Sequence, residues 1–282
     1  MKAEILISSH ACLGEGAFFD EKNYRVLWLD IFGREVHILN PVNDTDICMN
    51  VEKPITTIVP DGDNFVVGAI DGVYRMSRDA KMLTPMPSPM LDYVHYRCND
   101  GKCGPDGRLW VGIVENEGQR GLGGLYAVTD NSCELQLGGL DCPNGIVWNS
   151  RRDQVYFTDS MSGRIYAFDY VNGKLENKRD IFRTNKGYPD GMTIDTEDTI
   201  WAAIWGSGCV FRIDPISGKV IDIVETDAPN VSSVAIANKK IYITSATKDM
   251  DREMLLKYPL SGGLFAANVD AVGASYFHYG NA

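Results

Sequence analysis

Hydrophobic and polar residues alternate along almost the whole of this chain, in short runs broken by turn residues. The clearest runs are residues 26–30 (VLWLD), 64–68 (NFVVG), 109–112 (LWVG), 155–158 (VYFT), 200–203 (IWAA) and 241–244 (IYIT). β-Branched and aromatic residues dominate them, which is the composition of strands packed on a pleated, buried surface. Successive runs lie roughly 40–46 residues apart, the period of four-stranded propeller blades. Each is followed by a turn and a further run, at 35–38, 72–75, 124–127, 163–166, 208–212 and 254–257, read as the third strand of its unit. A polar outer strand such as 221–224 completes a blade. No stretch carries helical periodicity with caps, and the gaps are too short for the crossover helices of an α/β protein. The pattern predicts an all-β fold: a six-bladed β-propeller with four-stranded antiparallel blades, one domain over residues 1–282. Residues 4–7 are predicted to pair with C-terminal strands and close the ring. The apolar loop 82–90 is predicted to lie over one end.

The innermost strand of each unit precedes the 26–30-type run. Glu15, Asn99, Asn144 and Asp190 stand about 11–13 residues before Trp28, Trp110, Tyr156 and Trp201, the same phase in four repeats of a periodic fold. Glycine follows each at once, or after Asp100 in the third unit, which lets the backbone turn and approach the axis without a Cβ. The second unit has Pro54 here, and the sixth offers Asn230 as a candidate lining residue. Such x-Gly pairs are ordinary turn formers singly. Four in phase around one axis converge at one mouth of the channel. Glu, Asn and Asp oxygens without His or Cys make a hard-cation site, for Ca²⁺, Mg²⁺ or Mn²⁺, and the same donors accept Zn²⁺ or Fe²⁺.

The formal net charge of −11 and the lack of any Lys/Arg block argue against a nucleic-acid partner. No apolar run is long enough to cross a bilayer, and residues 1–16 do not read as a signal peptide, so a cytoplasmic location is expected. Seven cysteines without CxxC spacing read as reduced thiols, with Cys98, Cys103 and Cys142 packing beneath the mouth. His10, His37, His95 and His278 share no phase and read as structural or exposed. No GxSxG nucleophile elbow is present. Asp30 and Asp159 end second strands and read as turn-bonding groups, while Trp148, Tyr188 and Trp205 are candidate pocket walls.

The segments LGEGAFFD…VLWLD, RCNDGKCGPDGRLWVG, PNGIVW…VYFTDS, YPDGMTID…IWAA and SSVAIA…IYITSA resemble, in order and over nearly the whole chain, the SMP-30/gluconolactonase/luciferin-regenerating-enzyme family. The resemblance implies a six-bladed propeller with one divalent metal at the channel mouth and a metal-dependent sugar lactonase activity. Carried over by motif, Glu15, Asn144 and Asp190 are the implied metal ligands. Arg97 and Asn99 are implied substrate contacts, Asp100 beside them a further site residue, and Glu115, or Glu117 in the same loop, a further substrate contact; the candidate catalytic bases are Asp190, Asp100 and a metal-bound hydroxide. The implied partner is a small-molecule lactone, acted on by a monomer or weak homo-oligomer. Two alternatives use the same residues: a non-catalytic calcium- or ligand-binding regulatory propeller, and a metal-dependent esterase or phosphotriesterase.

Overall fold

The computed structural model describes residues 1–280, which form six four-stranded antiparallel sheets arranged as a six-bladed β-propeller. The innermost strands are Gly14–Asp20, Ile55–Asp61, Tyr96–Cys103, Pro143–Trp148, Tyr188–Ile194 and Val231–Ala237. Their side chains are buried almost throughout, whereas an outermost strand such as Thr45–Asn50 is largely exposed. The alternation read from the sequence therefore grades outward from the channel, as packed blades require.

The second strands carry the core. Trp28, Trp110, Trp201 and Tyr242 occupy one phase in four blades and are almost wholly buried. Each such ring stabilises the fold by about 1.5–3 kcal/mol through the apolar surface it removes from water. Two of the indoles are served locally: the N–H of Trp201 donates to Asp195 at 2.9 Å, and that of Trp28 to Asp46 at 3.3 Å.

Ring closure follows the expectation. Glu4–Ile7 forms the outermost strand of the sixth blade, pairing Glu4 with Ala266 and Ile5 with Phe265. The residues before it reach further, since the Ala3 N–H donates to Glu225 O in the fifth blade at 2.8 Å. The predicted outer strand at 221–224 lies within Lys219–Glu225.

Three expectations are corrected. Residues 254–257 are not a strand: Arg252–Lys257 is a short helix, and Leu264–Asn268 supplies the third strand of the sixth blade. Asp251 caps it by accepting the Met254 N–H at 2.8 Å, with Glu253 in the first turn and Lys257 in the last, a charge order that suits the helix dipole. The loop 82–90 does not cover the ring, because Leu83–Pro85 is the outermost strand of the second blade and Met90 is fully exposed. Instead the far end of the channel is closed by residues 274–279. Tyr276 lies against Phe18 with ring centroids 4.4 Å apart, and shares a hydrogen bond with Thr193 at 2.7 Å. Trp148 belongs to this end, edge-on to Trp110, Tyr170 and Phe277, and does not wall the mouth.

Candidate functional site

All six innermost strands break register with their neighbour near their first residues, at Glu15/Phe18, Ile55/Thr57, Cys98/Gly101, Pro143/Ile146, Pro189/Met192 and Val231/Val234. A bulge frees side chains from the alternation of the ladder and re-aims them. Here the freed residues include Asn99, Asp100, Asn144 and Asp190, while Glu15 is the last paired residue before its break, opposite Leu29; the five gather where the strands converge, each under a tenth exposed. The glycines serve close approach. A Cβ on Gly145 would sit 2.7 Å from the carbonyl oxygen of Asp190, so only glycine lets the fourth and fifth blades meet this closely.

Each side chain is held in a particular way. Asn99 donates to Pro143 O at 2.9 Å and accepts from the Arg97 guanidinium at 2.6 Å, which places Arg97 beside the cluster. Asn144 donates its amide N–H to Ser160 Oγ at 3.1 Å, leaving Oδ1 free. Glu15 and Asp100 each accept the N–H of the following glycine, Gly16 at 3.2 Å and Gly101 at 2.8 Å. Hydroxyls of adjacent blades brace the bulges. Thr56 and Thr57 donate to the carbonyls of Asn99 and Gly101 at 3.0 and 2.7 Å, and Ser233 Oγ accepts from Ala17 N at 3.1 Å. These hydroxyls, like Ser160, were invisible to a reading based on phase. The second blade, set aside because of Pro54, contributes through them.

Other expected residues carry hydrogen bonds of their own. Asn230 holds Lys248 O at 3.0 Å. Glu115 is buried at the end of its strand, where one carboxylate oxygen accepts the N–H groups of Glu117 and Gln119 at 3.1 and 2.7 Å. That bonding ties it to the turn that follows. Asp30 and Asp159 bond backbone N–H groups of Leu13 and Cys142 at 3.0 and 2.8 Å, as turn-bonding groups do. None of the seven cysteines is disulfide-bonded.

The electrostatics of the cluster call for a cation. Burial, then the charges of Asp190 and Asp100, holds Glu15 well above the usual carboxylate range; burial, then Asp100, does the same to Asp190. Asp100 is also raised by burial, against the pull of Lys102 and of the Gly101 N–H. Asn144 Oδ1 and Asp190 Oδ1 are buried and have no hydrogen-bond partner. Orphaned oxygens beside buried acids are costly in a protein interior unless something positive meets them. The donor set, two carboxylates and an amide oxygen, fits a divalent metal ion of the oxygen-preferring kind.

Comparison with known proteins gives the family and the fold. Residues 13–247 match the model of the SMP-30/Gluconolactonase/LRE-like region. A Bacillus subtilis (strain 168) protein provisionally named sugar lactone lactonase YvrE is 31% identical over 282 residues, covering 97% of each chain. Regucalcin of Gallus gallus is 31% identical over 280 residues, covering 94% of this chain and 93% of its own. In fold the chain is similar to the calcium-binding protein regucalcin from Agrobacterium tumefaciens str. C58, with a TM-score of 0.92 at 23% identity, covering 99% of this chain and 97% of that one.

Proposed function

From a chain that belongs to the SMP-30/gluconolactonase/LRE-like family, we propose a metal-dependent lactonase that opens an aldonolactone to its hydroxy acid. Glu15, Asn144 and Asp190 would hold the divalent ion. The observation that carries the reading is the pair of unpartnered buried oxygens, Asn144 Oδ1 and Asp190 Oδ1, set beside a third buried acid, Asp100, outside the ligand set. When bound, the ion supplies Lewis-acid stabilisation of the negative charge that develops on the lactone carbonyl oxygen.

The remaining chemistry belongs to the chain. Arg97 and Asn99 stand together at 2.6 Å and orient the sugar hydroxyls, so that the carbonyl is presented rather than found by diffusion. A carboxylate bound to a dication is a poor base, so Asp190 acts as a ligand and Asp100 as the base. Asp100 Oδ1 is committed to the Gly101 N–H, and Oδ2 takes the proton of the attacking water. The water oxygen bonds to the carbonyl carbon, the ring C–O bond breaks, and the departing ring oxygen receives the proton from Asp100. Burial raises Asp100 toward the range in which a group both accepts and returns a proton. Glu115 has one carboxylate oxygen engaged with its turn and would offer the other to the substrate beside Arg97.

Proton release from a panel of aldonolactones tests the reading, using chelated protein re-supplied with single metals alongside Asp190→Ala. Turnover restored by metal and lost in a folded Asp190→Ala is the expected result. Metal bound tightly without turnover of any lactone would overturn the lactonase and leave a calcium-binding propeller, the activity that the name of the Agrobacterium protein carries.

A further inference from the structure

Away from the mouth, on the flank of the first blade, three side chains of different chemistry meet. Glu35, His37 and Cys48 each offer one ligand atom, and the three atoms lie within 4.8 Å of one another. The strand register explains the meeting. His37 stands directly opposite Cys48 across the ladder between Glu35–Asn40 and Thr45–Asn50, and Glu35 is two residues earlier on the same face.

The histidine is set up for ligation. Its ring stacks on Trp28, with centroids 3.7 Å apart at 18°. Nδ1 is 2.6 Å from Asp46 Oδ2, and Asp46 also accepts the Trp28 indole N–H at 3.3 Å. With the ring proton in the bond to Asp46, Nε2 keeps its lone pair. That nitrogen is buried, belongs to a side chain 5% exposed, and has no hydrogen-bond partner, with Glu35 Oε2 the near neighbour at 3.4 Å. A carboxylate behind an imidazole whose other nitrogen is free is the outer-shell arrangement of metal-ligating histidines.

We propose that Glu35, His37 and Cys48 form a second metal site, separate from the mouth, for a transition-metal dication of the zinc class. A thiolate, an imidazole and a carboxylate select such an ion over Ca²⁺ or Mg²⁺, whereas the all-oxygen mouth accepts the harder cations as well. Three protein ligands leave a fourth tetrahedral position to water, and the exposure of Cys48 gives the ion its route in. Bound there, the ion ties the two outer strands of the blade together. The competing account makes His37 an imidazolium between Glu35 and Asp46, with Cys48 a bystander.

Cobalt(II) separates the two, because a thiolate on cobalt gives a charge-transfer band in the near ultraviolet that oxygen ligands do not. The full chain is expected to show that band, with an intensity corresponding to one thiolate-bound cobalt per chain, and to lose it on addition of Zn²⁺. Cys48→Ser should abolish the band while retaining lactone turnover and metal binding at the mouth. Asp46→Asn should weaken cobalt binding at the thiolate site by about 10- to 100-fold, the loss expected when an outer-shell partner is removed. Absence of the band from the unaltered protein, or its persistence in Cys48→Ser through another thiol such as Cys142, would overturn the proposal.

Discussion

Ser160 touches neither the proposed ion nor the substrate, yet Ser160→Ala should cost the protein much of its metal affinity. Its Oγ accepts the Asn144 amide N–H at 3.1 Å, and this bond decides which end of the amide faces the cluster. Without it the buried N–H loses its partner, a cost of about 1–3 kcal/mol to stability. The amide is then free to rotate and present nitrogen where oxygen is needed. Losing an outer-shell partner of this kind typically weakens metal binding about 10- to 100-fold, or about 1.4–2.7 kcal/mol. The backbone bonds of Ser160, from its N–H to Cys142 O at 3.0 Å and from Gly163 N–H to its own carbonyl at 2.9 Å, survive the change. Calorimetric titration of the chelated variant with the metal that supports turnover measures the affinity, and thermal unfolding without metal measures the stability. Because Ser160 acts only through Asn144, excess metal should restore kcat. A variant that loses stability but binds metal as tightly as the parent would refute the reasoning and reduce Ser160 to a packing residue.

Two other predictions concern pH and the closed end of the channel. Glu15 and Asp190, whose ordinary values are 4.5 and 3.8, are both raised on folding by burial and neighbouring acids. The folded metal-free protein therefore holds their protons more tightly than the unfolded chain, and stability falls as pH climbs through those ordinary values toward the raised ones. The metal-free Tm should be higher at about pH 5 than at about pH 8, and saturating metal, which favours the ionised forms, should reverse that order; the same slope with and without metal would contradict the placement of the ion. Tyr276→Ala should lower stability by about 3 kcal/mol in denaturant unfolding, as removal of a large packed ring does. It would also expose Lys102, which burial now pushes down to about 8 and whose Nζ lies 5.3 Å from the Tyr276 ring, so an NMR titration should find that lysine back near 10.5.

Blades were legible in the sequence because a strand packed on one face of a sheet leaves a period of two, and six copies of the same error-prone signal reinforce one another. The mouth was legible for a related reason: Glu15, Asn144 and Asp190 sit at one phase, and glycine after each marks a backbone that bends. Their bracing was not. Ser233 lies 216 residues from Ala17, whose N–H it accepts, and Thr57 lies 44 from Gly101; a hydroxyl carries no spacing signal for so distant a partner. The helix at Arg252–Lys257 was misread because its apolar pair Leu255-Leu256 imitates a strand in four residues, while the deciding signal, the cap at Asp251, lies just outside the run. The tail at 274–279 has no alternation at all, since it crosses the end of the ring instead of joining a ladder. His37 has no phase partner in the other blades and is buried as a hydrogen-bonded side chain. Its partners are Glu35 on its own strand and Cys48 and Asp46 on the next, a relation that requires the hairpin register to be known.

The strand Glu4–Ile7 is fastened to a partner some 260 residues further along the chain. Its partner, Leu264–Asn268, is synthesised after the strands of the first five blades, so those five can collapse while both edges of the sixth wait. During that interval the nascent chain displays an unpaired strand with the apolar sequence Ile5-Leu6-Ile7, the kind of edge that recruits a strand from another molecule. Contacts spanning some 260 residues also make the closing step slow, because ordering so long a loop precedes any reward for it. The seam that completes the ring is thus the point at which crowding, heat or truncation would first turn a folding chain toward aggregation.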